Sequence, residues 1–348
     1  MIKNVKYRVL GAMSGTSLDG IDLAICSFSK TKNWQFSIEK YITLPYSKYW
    51  KKTLQNLHSK SSAEITLIDK RYGVFIGDAI NNFLASEKVD FIASHGHTIF
   101  HQPAKKYTLQ IGDGEVITKI TNTTTITDFR SLDVSLKGQG APLVPIGDLL
   151  LFSNYKYCIN LGGFSNVSIK NNGVITAFDI CPANIVLNEV CQQLAIKYDN
   201  NGSIAKSGKL IPILLEQLNS LDFYKKKAPK SLSREWVEKN IYPLLKDHKT
   251  EDVLNTFCEH IAIQIGIFLK NESALLTGGG VFNTYLMERI KHHSYSKMII
   301  PNKTLINFKE SLIFAFLGIL RIENQVNCLQ SVTGAKRDNC GGVIHHPF

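Results

Sequence analysis

Two stretches of this sequence carry the same plan, and that duplication constrains the fold more than any other feature. Near the N-terminus an apolar run over residues 7–13 meets Ser14-Gly15-Thr16-Ser17 and Asp19-Gly20, and a second run follows over 21–28. Mid-chain, residues 157–161 meet Gly162-Gly163-Phe164-Ser165-Asn166, 167–169 continue, and Asn171-Asn172-Gly173 turns into 174–178. Each reads as strand, Gly-rich turn, strand. Around them, residues 61–86, 184–197, 253–270, 283–290 and 309–320 read as helices, while 89–93 and 274–277 read as short buried strands. Strands alternating with helices make an α/β protein. The repeat implies two related domains facing each other across a cleft, and a length of 348 residues suits two domains. Their boundary is expected within 131–156.

Composition narrows the partners. Forty Lys and Arg against 29 Asp and Glu leave a formal charge of +11. No block of five or six like charges occurs, so the excess reads as a solvated basic surface rather than a nucleic-acid tract. Seven cysteines, with no C-x-x-C pair, read as reduced thiols in the cytoplasm. The longest apolar stretch, residues 312–320, is nine residues, against the ~20 that a membrane helix requires. A soluble protein with no membrane partner is expected.

Three Gly-rich loops suit an anion, because backbone amides can approach phosphate where no Cβ intervenes. They lie at Gly15, at Gly162-Gly163 and at Gly278-Gly279-Gly280. The first adds the hydroxyls of Ser14, Thr16 and Ser17, and the carboxylates of Asp19 and Asp22, which suit Mg²⁺. Together they point to a nucleotide cleft. Two familiar nucleotide motifs fail. Residues 202–209 have one residue too many for a P-loop, with Leu210 where Ser or Thr should stand. Residues 278–283 read G-x-G-x-x-N, without an opening βαβ unit. His95, His97 and His101 form H-x-H-x-x-x-H with no completing ligand nearby, and read as a polar substrate pocket rather than a metal centre. The stretch Thr127-Asp128-Phe129-Arg130-Ser131-Leu132-Asp133 suits an acid/base with an Arg clamp, or a surface salt bridge.

Met13-Ser14-Gly15-Thr16-Ser17-Leu18-Asp19-Gly20-Ile21-Asp22 resembles the signature of the anhydro-N-acetylmuramic acid kinase family. The segments at 94–101, 128–145, 160–166, 179–184, 277–283 and 331–335 follow in the family's order. The resemblance implies a two-domain actin-like/sugar-kinase fold, built of duplicated RNase H-like domains around an interdomain ATP cleft. Domains of 1–135 and 136–320 are expected, with a C-terminal helix over about 321–348 packed back on the first. It implies ATP-dependent opening and phosphorylation of 1,6-anhydro-N-acetylmuramic acid to N-acetylmuramic acid 6-phosphate in peptidoglycan recycling.

Carried over residue by residue, the resemblance makes Asp133 the catalytic base. Substrate contacts fall on His95, His97, Thr98, Arg130 and Glu310. ATP contacts fall on Gly11, Ser14, Gly15, Thr16, Ser17, Asp19, Gly162, Gly163, Gly278, Gly279, Gly280 and Asn283, and Mg²⁺ on Asp19 and Asp22 through water. Partners are the sugar and ATP, with no nucleic acid and no membrane, and a homodimer is the expected assembly. Two departures stand out: His97 where the family often has Gln, and Cys181-Pro182-Ala183-Asn184 where it often has Gly-Pro-Gly-Asn. Two other readings remain: an ordinary sugar or carboxylate kinase of the same fold, and a non-enzymatic actin-like ATP-binding module.

Overall fold

The computed structural model describes residues 5–15 and 18–347. The chain divides into two units, Met1–Leu151 with Phe308–Phe348, and Phe152–Asn307. In the first unit, β1 (Val5–Ser14), β2 (Gly20–Lys30) and β3 (Trp34–Pro45) form an antiparallel meander. β4 (Phe91–Ser94) lies parallel to β1. A side hairpin of β5 (His97–Gln102) and β6 (Tyr107–Ile111) follows. β7 (Thr125–Thr127) is parallel to β4, and the C-terminal strand Val343–His345 closes that edge antiparallel to β7. The helix Ser62–Leu84 starts on a capping box between Ser61 and Glu64. It buries Tyr72, Ile76 and Ile80 against Leu10 and Leu23. Gly11, the next residue of β1, faces the helix Lys303–Ile322, so β1 is covered on both sides.

The second unit repeats the plan. β8 (Tyr157–Leu161), β9 (Phe164–Asn171) and β10 (Val174–Pro182) form an antiparallel meander. β11 (Ser273–Thr277) lies parallel to β8, and β12 (Lys297–Ile299) parallel to β11. Ile159, Leu161 and Leu276 of this sheet pack with Val186, Phe257 and Ile261 of the helices Asn184–Gln192 and Thr250–Gly266. In both sheets the first strand sits centrally between its own hairpin and a parallel neighbour that needs a helical crossover. The duplicated RNase H-like plan expected from the sequence is therefore present in both units.

Three expectations of extent change. Residues 136–151 stay with the first unit, because Asp133 and Arg130 both bond to Gly140. The single helix expected over about 321–348 is absent from the described residues 323–347: Gly334, Gly341 and Gly342 interrupt them, leaving the short helix Gln330–Thr333 and the C-terminal strand. The helix expected over 184–197 stops at Gln192, and Ala195 has a positive φ of 56°.

Candidate active site

In the first unit, β4 ends at Ser94 and delivers His95 into a turn at Gly96. Gly96 adopts φ +70°, and a Cβ there would lie 2.3 Å from the Ile111 carbonyl oxygen, so glycine is required. Arg130 donates to His95 Nε2 from Nε (3.0 Å) and Nη2 (2.9 Å), and to the Gly140 carbonyl from Nη1 (2.6 Å). An acceptor at Nε2 leaves the His95 proton on Nδ1, 3.0 Å from the Gly96 carbonyl. Burial, followed by the Arg130 charge, holds His95 well below the usual histidine range, and burial lowers Arg130 to about 10. His95 is thus a neutral prop for a half-buried guanidinium.

His97 Nδ1 lies 2.8 Å from Ser14 Oγ, which also contacts Tyr46 Oη at 2.6 Å. Burial pushes His97 down to about 4. Ser14, expected among the ATP contacts, is therefore a buried link in a Tyr46–Ser14–His97 chain. Gly11, also expected among the ATP contacts, serves close strand–helix packing: a Cβ there would fall 2.0 Å from the Ser311 carbonyl oxygen. Thr98 Oγ1 accepts from Gln110 Nε2 at 3.4 Å. Thr16 and Ser17 lie outside the described residues.

Asp133 departs most from expectation. It is fully buried, at 0% exposure. Its Oδ1 accepts from Cys328 Sγ (3.1 Å), Thr333 Oγ1 (2.9 Å) and Asn339 Nδ2 (2.8 Å), and Oδ2 accepts from the Gly140 amide (2.8 Å). Gly138 packs so closely that a Cβ there would lie 2.0 Å from Oδ2. A general base must reach the proton it removes, directly or through one water. Asp133 has no exposed surface from which to do so, and both its oxygens are engaged. It is a buried joint that ties the C-terminal segment to the Arg130 loop.

Glu310 and Asp179, unlike Asp133, are not buried. Glu310 is solvent-exposed, yet desolvation raises its pKa; Arg130 and Lys309 draw it back and Asp22 adds to the rise. Asp179, near the end of β10, accepts from the Leu232 amide through Oδ2 at 2.8 Å, and burial raises its pKa. No separate motif flagged Asp179; only its place in the 179–184 segment could have. Asp22 accepts from Thr43 Oγ1 at 2.5 Å, and its pKa is raised by burial and by Asp19. Among the described residues, no three His, Cys, Asp or Glu side chains are grouped to hold a metal ion.

In the second unit the Gly-rich loops meet at the ends of adjacent parallel strands, where Thr277 of β11 pairs with Asn160 of β8. The Gly163 carbonyl accepts from the Ala183 (2.8 Å) and Ile185 (3.1 Å) amides, and the Gly162 carbonyl from Asn184 (3.2 Å). Gly278 adopts φ +86° against Asn160 and Leu161, and Gly280 packs on Leu161. A Cβ at Gly279 would meet nothing within 4 Å. Asn283 caps the helix Thr284–His292, its Oδ1 accepting from the Leu286 amide at 2.9 Å. Cys181 and Ala183 are both fully buried in the core, so the two departures in this turn add volume to packing rather than to an open face.

The comparisons with known proteins follow the same lines. The family model for anhydro-N-acetylmuramic acid kinase matches residues 7–347. Relatives of that name include one from Saccharophagus degradans, 33% identical over 97% of this chain and 98% of its own. Another, from Sulfurovum, is 31% identical over 98% and 99%. Among solved structures, component A of Acidaminococcus fermentans (R)-2-hydroxyglutaryl-CoA dehydratase aligns at a TM-score of 0.44 and 13% identity, over 89% of this chain and 96% of that one. With a family match over nearly its whole length and relatives above 30% identity, the chain belongs to the anhydro-N-acetylmuramic acid kinase family.

Proposed function

We propose that this chain uses ATP to open and phosphorylate 1,6-anhydro-N-acetylmuramic acid, giving N-acetylmuramic acid 6-phosphate and ADP in peptidoglycan recycling. Family membership carries the reading, and the Arg130–His95 clamp beside the Glu310 charge supports it. The anhydro sugar has no free 6-hydroxyl, so ring opening must accompany transfer. A water oxygen bonds to carbon 1, the bond from carbon 1 to oxygen 6 breaks, and oxygen 6 takes the γ-phosphoryl group. The water proton passes to a carboxylate. A raised pKa and a free oxygen suit that task, and Glu310 and Asp179 meet both conditions. Arg130 orients the sugar, with His95 behind it, and His97 and Thr98 flank it.

The loops of Gly15 and Asp19, of Gly162 and Gly163, and of Gly278, Gly279 and Gly280 are read as the ATP contacts. Bound Mg²⁺ would supply neutralisation of the phosphate charge. Asp22 and Asp19 would hold it through water; burial first and then the Asp19 charge raise Asp22, and a cation would offset the second. The reading includes a homodimer, which sedimentation tests. It also includes a cytoplasmic location, on the ground that all seven cysteines are free. No described helix is long and apolar enough to cross a membrane.

The test follows the water. In ¹⁸O-labelled water, quenched before anomeric exchange, the product should carry label on carbon 1 and none on phosphate. Label on phosphate would mean ATP hydrolysis, and label nowhere an ordinary sugar kinase.

A further inference from the structure

We propose that the buried ion pair of Asp148 and Lys309 is a positioning device for Glu310. The inference rests on the reading of Glu310 as an active-site carboxylate. Lys309 Nζ lies 2.7 Å from Asp148 Oδ1, with side chains only 8% and 3% exposed. Asp148 belongs to the helix Val144–Leu151, where the preceding Gly147 lets Ile313 approach so closely that a Cβ would lie 2.7 Å from its Cγ1. Lys309 precedes Glu310 directly, just after Phe308 departs from helical geometry at φ −113° and ψ 15°.

The residue after Glu310 is held independently. Ser311 Oγ donates to the Asp22 carbonyl at 3.3 Å, and its backbone sits against Gly11. Glu310 is therefore flanked by two anchors, one on the helix Val144–Leu151 and one on β1 and β2. Desolvating two charges offsets much of their attraction, and apolar residues of similar volume stabilise a fold about as well. What the short buried charge contact adds is a fixed point on the chain at Lys309, which decides where the next side chain points. Lys309 also draws Glu310 toward its ionised form, alongside Arg130 and against Asp22.

The test compares Asp148→Leu/Lys309→Met, Lys309→Met, Lys309→Arg and Glu310→Gln by steady-state kinetics with the anhydro sugar. The double variant should melt within a few degrees of wild type and bind ATP equally, yet lose about tenfold or more in kcat with little change in KM, as misplacement of a reacting group predicts. Lys309→Arg should restore most of kcat that Lys309→Met loses. Added to Glu310→Gln, the double variant should cause no further loss, because the two act through one carboxylate. Full additivity there, a double variant with wild-type kcat, or Lys309→Arg as slow as Lys309→Met would each overturn the proposal. If the double variant fails to fold, the two single Lys309 variants decide by the same comparison. Wild-type turnover in Glu310→Gln would instead remove Glu310 from the active-site reading, and this proposal with it.

Discussion

Arg130 donates two hydrogen bonds to one nitrogen of His95, at 3.0 and 2.9 Å, and this fixes both residues. The imidazole must stay neutral to accept, and its other nitrogen is engaged at the Gly96 carbonyl. Of the three histidines in the motif, His95 is the one that supports a cation.

Arg130→Lys should therefore lower kcat/KM about 10²-fold, since a lysine cannot span His95 and Gly140 with a planar fork. His95→Ala should cost somewhat less and act mainly on KM for the sugar. Steady-state kinetics with ATP saturating checks both, and wild-type KM in His95→Ala would contradict the link.

Asp133→Asn and Asp179→Asn should separate structure from chemistry. Replacing one oxygen of Asp133 by NH₂ sets a donor against donors in a sealed site. Stability should fall by about 1–3 kcal/mol, with kcat of the folded fraction near wild type. Asp179→Asn should keep the melting temperature and lower kcat by ~10²-fold or more. Urea melts and single-turnover rates on both variants give the comparison.

Gly279 and Gly278 are neighbours with opposite constraints. Gly279→Val points into open space and should weaken ATP binding about tenfold or more while leaving the fold intact. Gly278→Val, at φ +86° and against Asn160, should destabilise the protein instead. Calorimetric titration and thermal melts tell the two apart.

Acid should unfold the protein partly through its buried histidines. Burial lowers His97 to about 4 and His260 to about 3, from an ordinary value near 6.5. The unfolded chain then binds more protons than the folded one below about pH 6.5. Stability is fully present above that pH and falls as pH drops toward 4, by up to about 1.4 kcal/mol per unit for each histidine. Urea melts at several pH values should show the slope, and His97→Gln should flatten it. An unchanged slope in that variant would assign the loss elsewhere.

The sequence by itself determined the duplicated sheet plan and the family. Strand periodicity and Gly-rich turns are local, so β1 with β2 and β8 with β9 were legible as hairpins, and their parallel partners as short buried runs. Which carboxylate is free was not local. The side-chain partners that seal Asp133 lie 195 to 206 residues further along the chain, so no neighbouring residue marks it as buried. Gly11 and Gly15 both stand among the ATP contacts that the resemblance implies, yet the helix behind β1 assigns Gly11 to packing. A carboxylate's chemistry depends on what removes its water, and only the tertiary structure decides which side chains do so.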